Sequence, residues 1–251
     1  MAFSDIDVQQ TFDDFVEEYG GIVLDPEKKT SPNADYVFPK AKVVAELKIL
    51  KEDPFSNKYF RRGLAKTQNE WIQKGYLTRA ELRAVRVFRD LPDKCRADAR
   101  KMYSRPLKSH VEKANKQIRS TKQEMELNDY KGLLILVSDG NFLLEPKFIR
   151  FALWRLFAAG RYSGINTITY LTVNALTTRP SAPNPARLWI NIFRDLDHME
   201  NEVLTSFLDD VHDKWADYFT KVTGITLNRI SEVNEQGLSD EDYLADTKFL
   251  A

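Results

Sequence analysis

Cysteine is almost absent: Cys95 is the only one in 251 residues. A lone cysteine excludes an intrachain disulfide and a multi-cysteine zinc site. Histidine is nearly as scarce, and His110, His198 and His212 do not have zinc-protease spacing. There is no uninterrupted apolar run of membrane-spanning length. The opening Met-Ala-Phe-Ser-Asp-Ile-Asp has no basic region leading into an apolar one. Neither a membrane partner nor a secretory signal is expected, and a cytoplasmic protein is the simplest reading. The 37 Lys and Arg balance the 37 Asp and Glu, so whole-chain charge points to no partner. A phosphate-binding Gly-x-x-x-x-Gly-Lys-Ser/Thr loop, a Gly-x-Gly-x-x-Gly after a strand and a Gly-x-Ser-x-Gly elbow are all missing. ATP-driven action by this chain alone is therefore not expected.

What is present begins at Asp35. Tyr36-Val37-Phe38 is a short β-type run, and Val43 to Leu50 (Val-Val-Ala-Glu-Leu-Lys-Ile-Leu) is a longer one between Pro39 and Asp53-Pro54. Length and flanks favour strands. The connection Pro39-Lys40-Ala41-Lys42 is short enough for an antiparallel hairpin. Side chains two apart on a strand share a face, so Glu46 and Lys48 stand side by side while Ala45, Leu47 and Ile49 face away. Burying these charges in an apolar strand is costly unless they pair or bind something. Folding the hairpin brings Asp35 towards Glu46. Two converging carboxylates suit a hard cation such as Mg²⁺, and a lysine beside them can hold or activate a water.

Asp35, ten intervening residues and Glu46-x-Lys48 resemble the signature of the PD-(D/E)XK nuclease superfamily, with its restriction-endonuclease-like fold. Ala34 stands where that family has a proline, and Pro32 lies nearby. The resemblance implies a Mg²⁺-dependent hydrolysis of DNA phosphodiesters, with Mn²⁺ able to substitute. Asp35, Glu46 and the Leu47 carbonyl would hold the metal, and Lys48 would position the attacking water. Relatives often carry a further acidic residue on the first helix, which here implies Glu18, with Glu17 as the alternative. They also carry a Gln or Lys on a helix after the motif strand, which implies Gln117 or Lys113. Many relatives dimerise to cut both strands, so a homodimer is among the implied partners besides DNA. Restriction or phage defence is the implied setting.

The rest of the chain reads as α/β. An amphipathic helix over 5–19 ends at Gly20-Gly21, and Ile22-Val23-Leu24 follows as a first strand. Helices are expected over 57–74, 78–89 and 108–127, the second opened by the capping pattern Thr78-x-x-Glu81. Gly132 to Val137 reads as a strand buried on both faces, followed by a helix over 147–159 and a strand over 165–173. This order matches a restriction-endonuclease-like mixed central sheet flanked by helices. Extra helices follow the motif strand and close the chain. The nuclease-like domain is expected over 1–193 with a helical insertion at about 56–127. A proline-bearing loop at 177–187 precedes an edge strand at 188–193. An acidic helical extension, 194–251, includes a long helix over 201–222 and a loosely ordered end after Gly237.

Charge is segregated along this order. Lys58 to Met125 holds 19 Lys and Arg against 7 Asp and Glu, whereas Arg194 to Ala251 holds 5 against 14. A local excess of 12 positive charges, interleaved with Tyr59, Phe60, Trp71, Tyr76, Phe88 and Tyr103, suits contact with a polyanion. A solvated helical face and ordinary core packing are the competing accounts. The alternative to a nuclease is a catalytically silent nucleic-acid-binding or assembly subunit with the same fold.

Overall fold

The structure, a computed structural model, describes residues 6–24, 33–51, 57–86, 90–139, 146–158, 160–173 and 189–225. The loop expected at 177–187 and the stretch after Gly237 lie outside the described residues. The chain divides into two units. The first comprises 1–52, 110–141 and 157–231, and the second 53–109, 142–156 and 232–251.

The first unit carries a six-stranded mixed sheet. Its strands are β1 (Ile22–Val23), β2 (Tyr36–Phe38), β3 (Val43–Leu50), β4 (Lys131–Asp139), β5 (Thr167–Val173) and β6 (Trp189–Phe193), in spatial order β1-β2-β3-β4-β5-β6. The hairpin expected from Pro39 to Lys42 is present: Tyr36 faces Ala45 and Phe38 faces Val43 in an antiparallel ladder. β3 and β4 are parallel, with Val43 opposite Lys131 and Lys48 opposite Leu136. β4 and β5 are also parallel, and β6 returns antiparallel to β5. β4 is paired along both edges and buried on both faces, and the burial accounts for its continuous apolar run. Gly132 lies where it does for a steric reason. A Cβ there would fall 1.8 Å from the backbone oxygen of Gly164.

Helix α1 (Val8–Tyr19) starts where Asp7 accepts a hydrogen bond from the Gln10 amide and stops at left-handed Gly20. Its buried residues Val8, Phe12, Phe15 and Val16 follow a helical period. They pack with Tyr36, Phe38, Val43, Ala45 and Leu47 of the sheet and with the last helix. The latter, α7 in chain order, spans Glu202–Thr223 and brings Leu208, Val211, Trp215 and Phe219 to the same core. The Phe12 and Trp215 rings stack at 4.1 Å. The beginning of the acidic section thus supplies core rather than surface alone.

The helical stretch after the motif strand holds α2 (Lys58–Gln73), α3 (Arg79–Ala84) and α4 (Asp93–Glu124). The Thr78–Glu81 capping box forms as expected, and α3 ends at Val85, where the backbone turns extended. The third helix begins 15 residues before the Lys108 expected from sequence, running through Pro106. Proline removes a backbone donor and usually ends a helix. Here Tyr103, Leu107 and Val111, buried on both sides of it, hold the helix together. The expected insertion, 56–127, also divides at His110, because the last part of α4 belongs to the unit that carries the sheet. Helix α5 (Pro146–Ala158) and the short α6 (Leu196–Met199) complete the described elements. Among the described residues, no helix is long and apolar enough to cross a membrane.

Trp215 is 2 % exposed, whereas Trp154 on α5 is 44 % exposed. Trp215→Ala should therefore lower unfolding free energy by about 3–5 kcal/mol, and Trp154→Ala by less than about 1 kcal/mol. Urea unfolding of both variants checks this contrast.

Candidate active site

On β3, side chains alternate between two faces. Val43, Ala45 and Leu47 enter the α1–α7 core, so Val44, Glu46, Lys48 and Leu50 take the other face. Glu46 is completely buried, and its carboxylate meets the Lys48 ammonium, whose side chain is 20 % exposed. The expected adjacency of these two charges is thus present. Asp35 stands just ahead of β2. One of its carboxylate oxygens accepts a hydrogen bond from the Leu47 backbone N–H at 2.9 Å, and its own amide donates to the Ala45 oxygen at 3.2 Å. The Asp35 carboxylate is therefore seated against the backbone between Glu46 and Lys48. The amide and carbonyl of one strand residue point to the same edge, so the Leu47 carbonyl faces the Asp35 side.

The second part of α4 lies on this face. Gln117 donates its side-chain amide to the Asn33 carbonyl at 3.0 Å, and Thr121 Oγ1 accepts from the buried Ala34 amide at 2.7 Å. These two bonds hold the segment that leads into Asp35. Gln117 therefore belongs to this group, holding backbone two residues ahead of Asp35. Lys113 is exposed on the same helix face, four residues earlier.

Glu18 goes elsewhere. Its carboxylate binds Lys221 Nζ at 2.7 and 3.0 Å, at the end of α1, whose buried side packs on the opposite face of the sheet. The structure does not bring it to Asp35 and Glu46, because α1 presents its stripe to the Tyr36 and Phe38 side. Glu17 is exposed on the same last turn. Glu18 instead borders a cleft of about 570 Å³ with Tyr19, Phe38, Lys40, Asp210 and Tyr218. The cleft and the Asp35–Glu46–Lys48 group are on different faces of the sheet.

The residue that sequence reasoning missed is His110. It is half-buried, and its pKa is lowered by burial and then by the charges of Lys48 and Lys113. It is therefore within electrostatic reach of Lys48 and favours the neutral imidazole. The available signal was its spacing: His110, Lys113 and Gln117 stand at i, i+3 and i+7 on α4 and share a face. The other histidines are engaged away from this group. The His198 ring meets Asp195 through Nδ1 and Asn166 through Nε2, and His212 lies against Trp189 with ring centroids 4.9 Å apart.

Two carboxylates and one backbone carbonyl are the kind of oxygen donors that fit Mg²⁺, which commonly binds one or two carboxylates and keeps several waters; the Lys48 ammonium, without a lone pair, is not a ligand. Among the described residues there is no group of three or more His, Cys, Asp or Glu side chains able to hold a metal. In the second unit, α2 exposes Lys58, Arg61, Arg62 and Lys66. Tyr59 beside them is 68 % exposed, with the Lys58 ammonium 5.2 Å from its ring centre. Comparisons with protein-family models, with curated proteins and with solved structures gave no match.

The buried Ala34 amide depends on Thr121. Thr121→Val keeps the shape and removes the acceptor, which should cost about 1–3 kcal/mol. Thr121→Ser should keep most of the stability. Chemical denaturation of the two variants checks it, and equal losses in both would overturn the assignment to the hydroxyl.

Proposed function

We propose that this chain is a metal-dependent nuclease of the PD-(D/E)XK type, with a restriction-endonuclease-like fold, that hydrolyses DNA phosphodiester bonds. The observation that carries the reading is the hydrogen bond from the Leu47 amide to the Asp35 carboxylate, which gathers the separated parts of the motif on one edge of β3. Asp35, Glu46 and the Leu47 carbonyl would hold Mg²⁺ or Mn²⁺. The ion would supply Lewis-acid polarisation of the scissile phosphate and lower the pKa of a bound water.

The chain's own residues account for the rest. Lys48 has an ammonium at the mouth of a buried carboxylate, where it can donate to the attacking water and offset charge on the phosphate. Glu46 fixes that ammonium by pairing with it. Gln117 and Thr121 restrain the backbone ahead of Asp35 and so act as positioning residues. The basic α2–α4 segment would hold the polymer's backbone, an interaction without sequence preference. Restriction or phage defence would suit such an enzyme.

A second reading, a silent nucleic-acid-binding subunit, is favoured by one observation. Lys48 engages the Glu46 carboxylate, which is the arrangement of a neutralised ion pair.

The deciding experiment is cleavage of supercoiled and linear DNA with Mg²⁺ or Mn²⁺, beside EDTA. The nuclease reading expects metal-dependent cutting. Asp35→Asn, Glu46→Gln and Lys48→Ala should each lose about 10²- to 10³-fold or more in rate while still binding DNA. DNA binding by a folded wild type that cuts with neither ion would favour the silent subunit.

A further inference from the structure

We infer that His110 and Lys113, on the helix face beside Lys48, form a binding site for one backbone phosphate of the nucleic acid, next to the phosphate that is cut. The inference rests on the nuclease reading for the identity of the polymer, and on the helix face and the motif strand for the site. His110, Lys113 and Gln117 share one face of α4, and Gln117 fixes that face against the Asn33 carbonyl, two residues ahead of Asp35. Lys113 is exposed, His110 is half-buried, and Lys48 comes from β3 at the centre of the candidate site.

His110 and Lys113 stand one turn apart on α4, and the charges of Lys48 and Lys113 both act on the His110 ring. Among the described residues of the sheet strands and the turn before β2, the titratable and charged groups on this face are Asp35, Glu46, Lys48 and Tyr170. On the helix, the group sharing the face is Lys113. Burial pushes the Tyr170 hydroxyl up to about 12, so it stays neutral near neutral pH. Glu46 and Lys48 are committed to each other. The uncommitted property is the charge state of His110. Burial and the two lysines favour its neutral form in the free protein. A phosphodiester anion between His110 and Lys113 reverses that balance, because a nearby negative charge favours the imidazolium. Binding therefore takes up a proton. Hydrogen bonds to a charged partner are the stronger ones.

The sign follows from this. Below the free protein's His110 pKa the ring is already charged, and affinity is at its maximum. Affinity falls as pH rises towards the higher pKa of the bound form, then levels off. No covalent step is involved.

The test is binding of a short fluorescein-labelled DNA duplex in EDTA at fixed ionic strength, followed by fluorescence anisotropy from about pH 5 to about pH 8. Wild-type affinity should fall with rising pH, about tenfold for each unit by which bound DNA raises the His110 pKa within this range. His110→Gln, which keeps polarity and approximate size, should bind with a flat profile over the window. Lys113→Ala should bind more weakly at every pH, with the salt slope reduced by about one. Proton NMR of the wild type should show the His110 ring titrating at higher pH with DNA bound than without, a readout that needs no variant. An unchanged pH profile in His110→Gln, or an unshifted His110 resonance, would sink the site, as would wild-type protein that binds no DNA. The two readings fail separately. Metal-dependent cutting with a His110-independent profile keeps the nuclease and removes the phosphate site. His110-dependent binding without cutting does the reverse.

Discussion

The hydrogen bond from the Leu47 amide to the Asp35 carboxylate is the constraint on which the candidate site depends. It ties the end of one strand to the middle of the next, where the ordinary ladder has already stopped. β2 pairs with β3 only from Tyr36 to Phe38, so Leu47 lies beyond the paired stretch. An unpaired buried amide costs on the order of 1–3 kcal/mol, and the Asp35 side chain meets that need in place of a backbone carbonyl. The same bond leaves Asp35 facing the edge where Glu46 and Lys48 stand. Local hydrogen-bond requirements and the gathering of the motif are thus served by one contact.

Burying Glu46 makes sense in the same terms. A carboxylate with no exposure is tolerated in a sheet only when charge and hydrogen bonds compensate it. The Lys48 ammonium does this from two residues away on the same strand. A neutral isostere would stabilise the sheet more simply, since buried ion pairs are weak sources of stability. Stability alone therefore does not account for the pair. Helix α4 supports the arrangement from above, with Thr121 and Gln117 on the backbone before Asp35 and Asn115 accepting from the Gly164 amide at 2.8 Å.

Much of the architecture was legible because its signals are local. The hairpin could be read from the two β-type runs around Pro39, the buried strand from Gly132 to Val137, and the α3 start from its capping box. The adjacency of Glu46 and Lys48 follows from the two-residue period alone. What was not legible depends on contacts distant in sequence. Pro106 hid the first half of α4, because the buried residues on either side that carry the helix past it are set by tertiary packing. Glu18 was implied by the resemblance alone, and the structure sets its carboxylate on Lys221; helical periodicity says which side of α1 is apolar, but not which face of the sheet it will cover. Thr121 gave no signal at all, since its partner is a backbone amide 87 residues away. His110 had one, the i, i+3, i+7 spacing with Lys113 and Gln117, but only the fold sets that face beside Lys48.

The chain's zero net charge conceals how it is distributed. Between Asn57 and Ser109 there are 15 Lys and Arg against 5 Asp and Glu, and this whole stretch belongs to a unit other than the one that carries the motif strand. On the proposed reading, chemistry and polymer affinity would fall to different stretches of the chain. The buried site needs few charges, held rigidly, because each one costs desolvation. A polyanion-binding surface needs many, loosely hydrated, because counterion release scales with their number. On the proposed reading, concentrating both on one sheet face would set lysines that attract a polyanion against the cation that the carboxylates would hold. A helix face that adds Lys113 and a half-buried His110 beside Asp35 and Glu46 would limit that conflict, because a neutral imidazole contributes no charge until an anion stands beside it.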